Sequence, residues 1–198
     1  MKILLATRNR HKTREFAHLL GPQFQVTDLT DERDLPGIVE TGATFEENAA
    51  IKAVAVSRGR PKEIVVADDS GLEVDALSGA PGICSARFAG EDATDRDNVE
   101  KLFRELERLR QPKRSARFRC IIVIARGGKI LEAVSGEVRG LIADSPRGKN
   151  GFGYDPVFVA AGFTETFAEL PTEVKNRISH RGRAVEKLRQ CLQRLTTD

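Results

Sequence analysis

Tryptophan is absent from the chain, tyrosine occurs once, at Tyr154, and aromatic residues make up only 6% of the total. The stacking platforms on which single-stranded nucleic acids are usually held are therefore thin. Long apolar runs are missing near the N-terminus: Ile-Leu-Leu-Ala at 3–6 is broken at once by Thr7, Arg8, Asn9 and Arg10, far short of a signal segment or a membrane span. The three cysteines, Cys84, Cys120 and Cys191, are odd in number and form no C-x-x-C, which fits neither a disulfide framework nor the usual zinc spacing. Cys120, inside the apolar stretch 118–125, reads as a small buried hydrophobe. Neither G-x-x-x-x-G-K-[ST] nor G-x-G-x-x-G occurs, so any phosphate would have to be bound by side chains and not by a glycine-rich cradle. No sign of charge dominates: 32 basic against 29 acidic residues leave a net +3, too little to demand nucleic acid or anionic lipid as a partner. These absences lead to the expectation of a soluble, cytoplasmic protein with reduced thiols, binding no membrane.

What is present suffices for a full core: 198 residues at 40% hydrophobic composition, with no linker, repeat or low-complexity tract, so a single domain over 1–198 is expected. Residues 2–6 read as a buried strand and 11–20 as a helix with Phe16, Leu19 and Leu20 at helical spacing, joined by a turn from Thr7 to Arg10. Thr44-Phe45-Glu46-Glu47 fits a capping box opening a helix to about Arg58, ahead of Gly59 and Pro61. A short strand at 64–67 ends in Asp68-Asp69-Ser70-Gly71, where the glycine allows a sharp turn. The Thr94-x-x-Asp97 cap predicts a helix to about Arg110, with Val99, Leu102, Phe103, Leu106 and Leu109 as its buried stripe and Pro112 closing it. Residues 116–125 and 129–138 flank Arg126-Gly127-Gly128 as an antiparallel hairpin, a strand follows at 157–159, and helices start near Thr172 and Gly182. Helices interleaved with strands around a central hairpin predict an α/β fold with a mixed sheet flanked by helices.

Several polar groups fall where chemistry is possible, and each has an ordinary alternative. Thr7, Asn9 and Lys12 surround the start of the first helix, whose free N–H groups and positive dipole attract phosphate, although Thr or Asn there is usually a cap. Asp68 and Asp69 follow a buried strand directly, a usual way to hold Mg²⁺ or to activate water, and equally the composition of an Asx turn. Glu40, just before Thr41-Gly42, could complete an oxygen shell between metal and phosphate. Lys52 lies four residues after Asn48 on one helix face, placed for a phosphate or for a surface contact. Near the C-terminus Lys175, Ser179, His180 and Arg181 gather before Gly182, where donors could read a purine carbonyl or simply cap a helix. In Gly151-Phe152-Gly153-Tyr154-Asp155-Pro156 two glycines leave room around an aromatic ring and a carboxylate, a platform suited to stacking a base.

Taken together, six ordered segments resemble the motifs of the inosine triphosphate pyrophosphatase family: Leu5-Ala6-Thr7-x-Asn9-x-x-Lys12, Glu40-Thr41-Gly42-x-Thr44-Phe45-x-Glu47-Asn48-Ala49, Ala67-Asp68-Asp69-Ser70-Gly71-Leu72, Gly79-Ala80-Pro81-Gly82-Ile83-x-Ser85-Ala86-Arg87, the Gly151 to Pro156 segment and Ile178-Ser179-His180-Arg181-Gly182. That family hydrolyses deaminated purine triphosphates to monophosphate and pyrophosphate, keeping them out of DNA and RNA. The resemblance implies an elongated mixed sheet with two lobes, the nucleotide in the cleft between them, and a homodimer. It implies that Thr7, Asn9, Lys12 and Lys52 grip the triphosphate, that Glu40 and Asp69 hold Mg²⁺, and that Asp69 also orients or deprotonates the attacking water with Asp68 assisting. It further implies that Phe152 stacks on the purine, with Gly153 and Tyr154 in the same segment, that Asp155, Lys175, His180 and Arg181 line the base, and that Ser70 completes the substrate shell. Arg8 departs from the small residue common at that position and is left outside the site.

The implied selectivity has a physical basis: hypoxanthine and xanthine offer a 6-oxo acceptor to His180 or Arg181, whereas adenine offers an amino donor and leaves those donors unpaired. Two other readings stay open. One is a pyrophosphatase for other modified or pyrimidine triphosphates. The other is an RNA-binding module built on Arg108, Arg110, Lys113, Arg114, Arg117 and Arg119, among which only Phe118 interleaves.

Overall fold

The computed structural model describes residues 1–31 and 37–195. Strand β1 (Lys2–Leu5) carries Ile3, Leu4 and Leu5, all fully buried, as befits a strand covered on both faces. Helix α1 (Arg10–Leu20) buries Phe16 and Leu20 and ends at Gly21, whose left-handed φ of 82° allows the reversal into β2 (Gln25–Asp28). Helices α2 (Phe45–Gly59) and α3 (Asp95–Glu107) both start on threonine caps, Thr44 and Thr94. Strands β3 (Val65–Val74), β4 (Ser115–Arg126) and β5 (Lys129–Ile142) are long, β6 (Phe158–Ala160) is short, and helices α4 (Thr172–Ile178) and α5 (His180–Arg194) complete the described chain.

The six strands lie in the order β2-β1-β3-β4-β5-β6. β1 is parallel to both β2 and β3, whereas β5 and β6 are antiparallel, so the sheet is mixed, as expected. The turn between β4 and β5 uses Gly127 and Gly128, with φ of 57° and 79°, the left-handed pair that a tight hairpin requires.

Contacts divide the chain into two compact units, one of Met1–Asp69, Cys120–Gly136 and Arg181–Asp198, the other of Ser70–Arg119 and Glu137–His180. The first has its own core, in which Ile3, Leu5, Phe16, Val66, Ile122 and Leu188 pack together. The second packs Leu72, Leu102, Phe118, Phe158 and Phe167. There the Phe118 ring meets Phe158 edge-on at 4.8 Å and lies parallel to Phe167 at 6.0 Å, arrangements the aromatic quadrupole favours.

One strand was not anticipated, and three expectations need correction. β2, with Val26 as its one apolar residue, lacks the alternation that marks a strand; it forms because its backbone pairs residue by residue with β1, Lys2 opposite Gln25 through Leu5 opposite Asp28. β3 does not stop at residue 67 to turn at Gly71 but runs on through Asp68, Asp69, Ser70 and Gly71, because Leu72 and Val74 beyond them are fully buried. Leu109 lies past the end of α3 and is 39% exposed, outside the buried stripe. The last helix begins at His180, two residues before Gly182.

Candidate active site

In the first unit, the chain leaving β1 is arranged by local hydrogen bonds. The Asn9 N–H donates to Thr7 Oγ1 at 3.1 Å, and Asn9 Oδ1 accepts the N–H groups of His11 and Lys12 at 2.9 and 3.3 Å. Asn9 is therefore the cap of α1, and the cap occupies its acceptor; the groups it has to offer an oxyanion are its amide N–H donors. Lys12, in the first turn, places Nζ 3.0 Å from Asp68 Oδ2. Arg8 donates to the Leu29 carbonyl at 2.7 Å, which ties it to neighbouring backbone.

The loop before α2 is fastened to the helix by three contacts. Thr44 Oγ1 accepts the Glu47 N–H at 3.1 Å, Glu47 Oε2 accepts the Ala43 N–H at 2.6 Å, and Asn48 Oδ1 accepts the Gly42 N–H at 2.8 Å. The carboxylate of Glu47 thus reaches one residue further back than a capping box would take it. Gly42 has to be glycine: a Cβ there would lie 2.6 Å from Glu47 Cβ and 2.9 Å from the Asn48 backbone nitrogen. One helical turn beyond Asn48, Lys52 points Nζ at Glu40 Oε2, 3.2 Å away, and at Asp69 Oδ1, 3.3 Å away.

The adjacent carboxylates of β3 differ in electrostatics. Burial opposes ionisation of Asp68, but Lys12, Arg181 and Lys52 outweigh it and hold the acid well below the ordinary carboxylate range. Arg181 Nη2 is 3.4 Å from Asp68 Oδ2 and Nη1 is 2.6 Å from Glu15 Oε2, so its guanidinium is shared between two acids. Asp69 is pushed the other way: burial raises its pKa, Glu40 and Asp68 add to the rise, and Lys52 and Lys12 offset only part of it. Burial opposes the charge on Lys52 as well, yet Asp69, Asp68 and Glu40 hold it firmly protonated. Beneath them burial raises the Cys120 thiol to about 12, so it is an inert core residue, as its apolar context predicted. The two neighbouring acids are thus pushed apart: Asp68 is held as a paired anion, whereas the charge on Asp69 is disfavoured.

Among the described residues no three His, Cys, Asp or Glu side chains gather as a ready-made metal cage. Glu40 and Asp69 nevertheless meet through Lys52, and Asp69 Oδ2 is buried with no hydrogen-bond partner among the described residues. Mg²⁺ is commonly held by one or two carboxylates, the rest of its octahedron coming from water and substrate phosphate oxygens. The donor set fits such an ion.

The second unit holds a separate polar cluster. Gly151 has φ 77°, and a Cβ on it would sit 2.0 Å from Asp155 Oδ2, so the loop closes directly on that carboxylate. Asp155 Oδ2 accepts the Phe152 N–H at 2.9 Å and the Lys175 ammonium at 2.6 Å, and Lys175 Nζ stands 5.3 Å from the centre of the half-buried Phe152 ring. Asp95 Oδ2, at the start of α3, accepts the Gly153 N–H at 2.6 Å. Tyr154 is 4% exposed and donates its hydroxyl to the Ser85 carbonyl at 2.9 Å; burial raises its pKa, and its ring belongs to the core. His180 stacks flat on Phe118 at 4.6 Å, and Ser70 is half-buried on β3.

The structure thus brings Lys12, Glu40, Lys52, Asp68 and Asp69 together in one unit, with Thr7 and Asn9 at the adjoining helix start, and brings Phe152, Gly153, Asp155 and Lys175 together in the other. Arg181, grouped by sequence with His180, directs its guanidinium to Glu15 and Asp68 of the first unit. Sequence reasoning assigned no site role to Glu15, Asn48, Ser85 or Asp95, although Asn48 and Ser85 stand inside two of the six motif segments. Glu15 and Asn48 carry a faint signal, lying three residues after Lys12 and four before Lys52 on the same helix faces, and Ser85 lies inside the Gly79 to Arg87 motif; Asp95 carries none, since its partner Gly153 is far away in the chain.

Comparison with known proteins adds an independent line. Residues 3–191 match the Ham1 family. A dITP/XTP pyrophosphatase of Bacillus licheniformis is 50% identical over 192 residues, which is 96% of this chain and 97% of that one. A dITP/XTP pyrophosphatase of Geobacillus kaustophilus is 50% identical over 188 residues, 94% of this chain and 92% of that one. Among solved structures, a HAM1 protein from Coxiella burnetii superposes with a TM-score of 0.88 at 41% identity, covering 98% of this chain and 99% of the other.

Proposed function

The chain belongs to the Ham1 family, and from that premise we propose that it is a pyrophosphatase hydrolysing the non-standard purine triphosphates ITP, dITP and XTP to monophosphate and pyrophosphate. The observation that carries the assignment to this site is the pairing of Glu40 and Asp69 through Lys52, with one buried Asp69 oxygen still without a hydrogen-bond partner among the described residues. A triphosphate carries about four negative charges, and an approaching nucleophile is repelled until they are neutralised. Lys12 and Lys52 supply cations for that purpose, and Thr7 and the amide of Asn9 supply hydrogen bonds to the same oxygens. Glu40 and Asp69 would hold Mg²⁺; Asp69 orients the water that attacks the α-phosphorus while Asp68, paired with Lys12 and Arg181, keeps Lys12 beside it. Bound Mg²⁺ would neutralise phosphate oxygens and make pyrophosphate a better leaving group. No covalent enzyme intermediate is needed.

Base recognition is assigned to the second unit. Phe152 stacks on the purine, its backbone held by Asp155 and by Asp95 through Gly153, while Lys175 and His180 present donors and Ser70 completes the shell. Tyr154 serves by fixing the loop from below. Arg181 contributes from its position beside Asp68. We take residues 1–198 to act as one functional domain, as a homodimer in the cytoplasm, binding neither nucleic acid nor membrane. No helix of the described residues is long and apolar enough to cross a membrane. The basic cluster that suggested RNA is largely paired: Arg108 with Glu105 at 2.7 Å, Arg114 with Asp144 at 3.2 Å, and Arg117 and Arg119 both with Glu73.

The testing experiment is pyrophosphate release from ITP, XTP, dUTP, GTP and ATP with Mg²⁺ and again with chelator. ITP and XTP are expected to exceed ATP in kcat/KM by about 10²-fold or more, the range a mismatched donor set produces, and the chelator is expected to stop the reaction. Equal rates on ATP and ITP would refute the specificity, preference for dUTP would favour the pyrimidine reading, and release of single phosphate would refute the choice of bond.

A further inference from the structure

Asn48 is fully buried, and its two side-chain atoms have different fates: Oδ1 accepts the Gly42 N–H at 2.8 Å, while Nδ2 has no partner among the described residues. A buried amide N–H₂ without an acceptor costs stability, so whatever this side chain contributes comes through the oxygen. That oxygen holds Gly42, two residues after Glu40, against the first turn of α2. The spacing from Asn48 to Lys52 is one helical turn on a single face, so the residue that anchors the loop and the residue that meets Glu40 at 3.2 Å stand one above the other. Gly42 lets the loop approach, since a Cβ there would come within 2.7 Å of Asn48 Oδ1.

We infer that Asn48 is a positioning residue: by fixing the Gly42 amide it sets where the Glu40 carboxylate lies and thereby tunes the affinity for the divalent ion. The inference rests on the reading of Glu40 as a metal ligand. It separates from a packing role because packing alone would move the unfolding temperature and leave the magnesium requirement untouched.

The experiment is a double-mutant cycle of Asn48→Leu and Glu40→Gln, reading the Mg²⁺ concentration for half-maximal ITP hydrolysis, the thermal midpoint, and amide hydrogen exchange at Gly42. Asn48→Leu is expected to raise the Mg²⁺ half-saturation about tenfold, the usual effect of losing an outer-shell partner, with kcat at saturating Mg²⁺ changed less than about threefold. Gly42 exchange is expected to accelerate. In the Glu40→Gln background Asn48→Leu should add no further shift, because both act through one carboxylate. Gly42→Ala attacks the same contact from the other side and is expected to give the same Mg²⁺ shift, which keeps the test sound should Asn48→Leu fail to fold. Faster Gly42 exchange with an unchanged Mg²⁺ half-saturation, while Glu40→Gln raises it, would overturn the positioning role and leave the metal reading standing. An unchanged half-saturation in Glu40→Gln itself would overturn the metal reading, and this inference with it.

Discussion

Replacing Asp69 with asparagine is expected to lower kcat for ITP by on the order of 10³-fold or more, the scale of losing a metal-binding and water-orienting carboxylate together, without unfolding the protein. The two halves of that expectation come from the same electrostatics. Burial and the neighbouring acids Glu40 and Asp68 push the Asp69 pKa up, so the fold bears a cost for the charge on Asp69, and a neutral isostere of the same shape relieves it. Lys52 keeps Glu40 as a partner at 3.2 Å. The contrast is Asp68, whose pKa is held low by Lys12, Arg181 and Lys52 against the opposing effect of burial; there the charged form stabilises the fold, and an asparagine would leave buried cations short of a counterion. Pyrophosphate-release kinetics with a thermal melt on the purified Asp69→Asn variant check both halves. Near-native turnover would remove Asp69 from its assigned place, and loss of folding would mean its carboxylate is a structural anion like its neighbour.

The second large effect is expected from Lys52→Met. Lys52 is 8% exposed and its ammonium sits between Glu40 and Asp69, so its removal leaves two carboxylates, one of them buried, without the cation that bridges them. Breaking a buried ion pair by deleting one partner typically costs about 3–5 kcal/mol; with the Glu40 side chain 28% exposed, the low end, about 3 kcal/mol, is expected here. Catalysis should fall with it, by about 10²–10³-fold in kcat/KM for a lost phosphate-neutralising cation. The two losses ought to respond differently to metal. Mg²⁺ binds the folded state and restores part of the missing positive charge, so it is expected to recover more thermal stability in the variant than in the wild type, while kcat/KM stays low because the ammonium is still missing from the phosphates. Melts with chelator and with excess Mg²⁺, alongside steady-state kinetics, test this. A variant as stable as wild type in chelator would show that the carboxylates do not depend on Lys52.

What could be read from residues alone follows the range of the interactions concerned. The starts of α1, α2 and α3 were legible because Asn9, Thr44 and Thr94 each bond to backbone two or three residues away, a signal contained within one window of sequence. The edge strand β2 was not, because Gln-Val-Thr-Asp has no period of its own and takes its conformation from β1. Asp68-Asp69-Ser70-Gly71 has the composition of a turn, and only the burial of Leu72 and Val74 beyond it keeps the strand going; tertiary packing overrides local preference there. In the candidate site the motifs pointed to the individual residues and to most of their grouping, but not to the placement of Arg181. Arg181 meets Asp68 across 113 positions and Glu15 across 166, and nothing local in Ile178-Ser179-His180-Arg181-Gly182 distinguishes a guanidinium aimed at carboxylates from an imidazole stacked on Phe118.

The most direct test of the polyphosphate and metal assignment is a crystal structure of the protein with Mg²⁺ and a non-hydrolysable α,β-imido inosine triphosphate. Carboxylate oxygens of Glu40 and Asp69 are expected at about 2.1 Å from the ion, with Lys12, still beside Asp68, and Lys52 meeting the phosphate oxygens and the α-phosphorus facing Asp69. Phosphates bound elsewhere, with Lys12 engaged only with Asp68 and Lys52 only with Glu40 and Asp69, would contradict it.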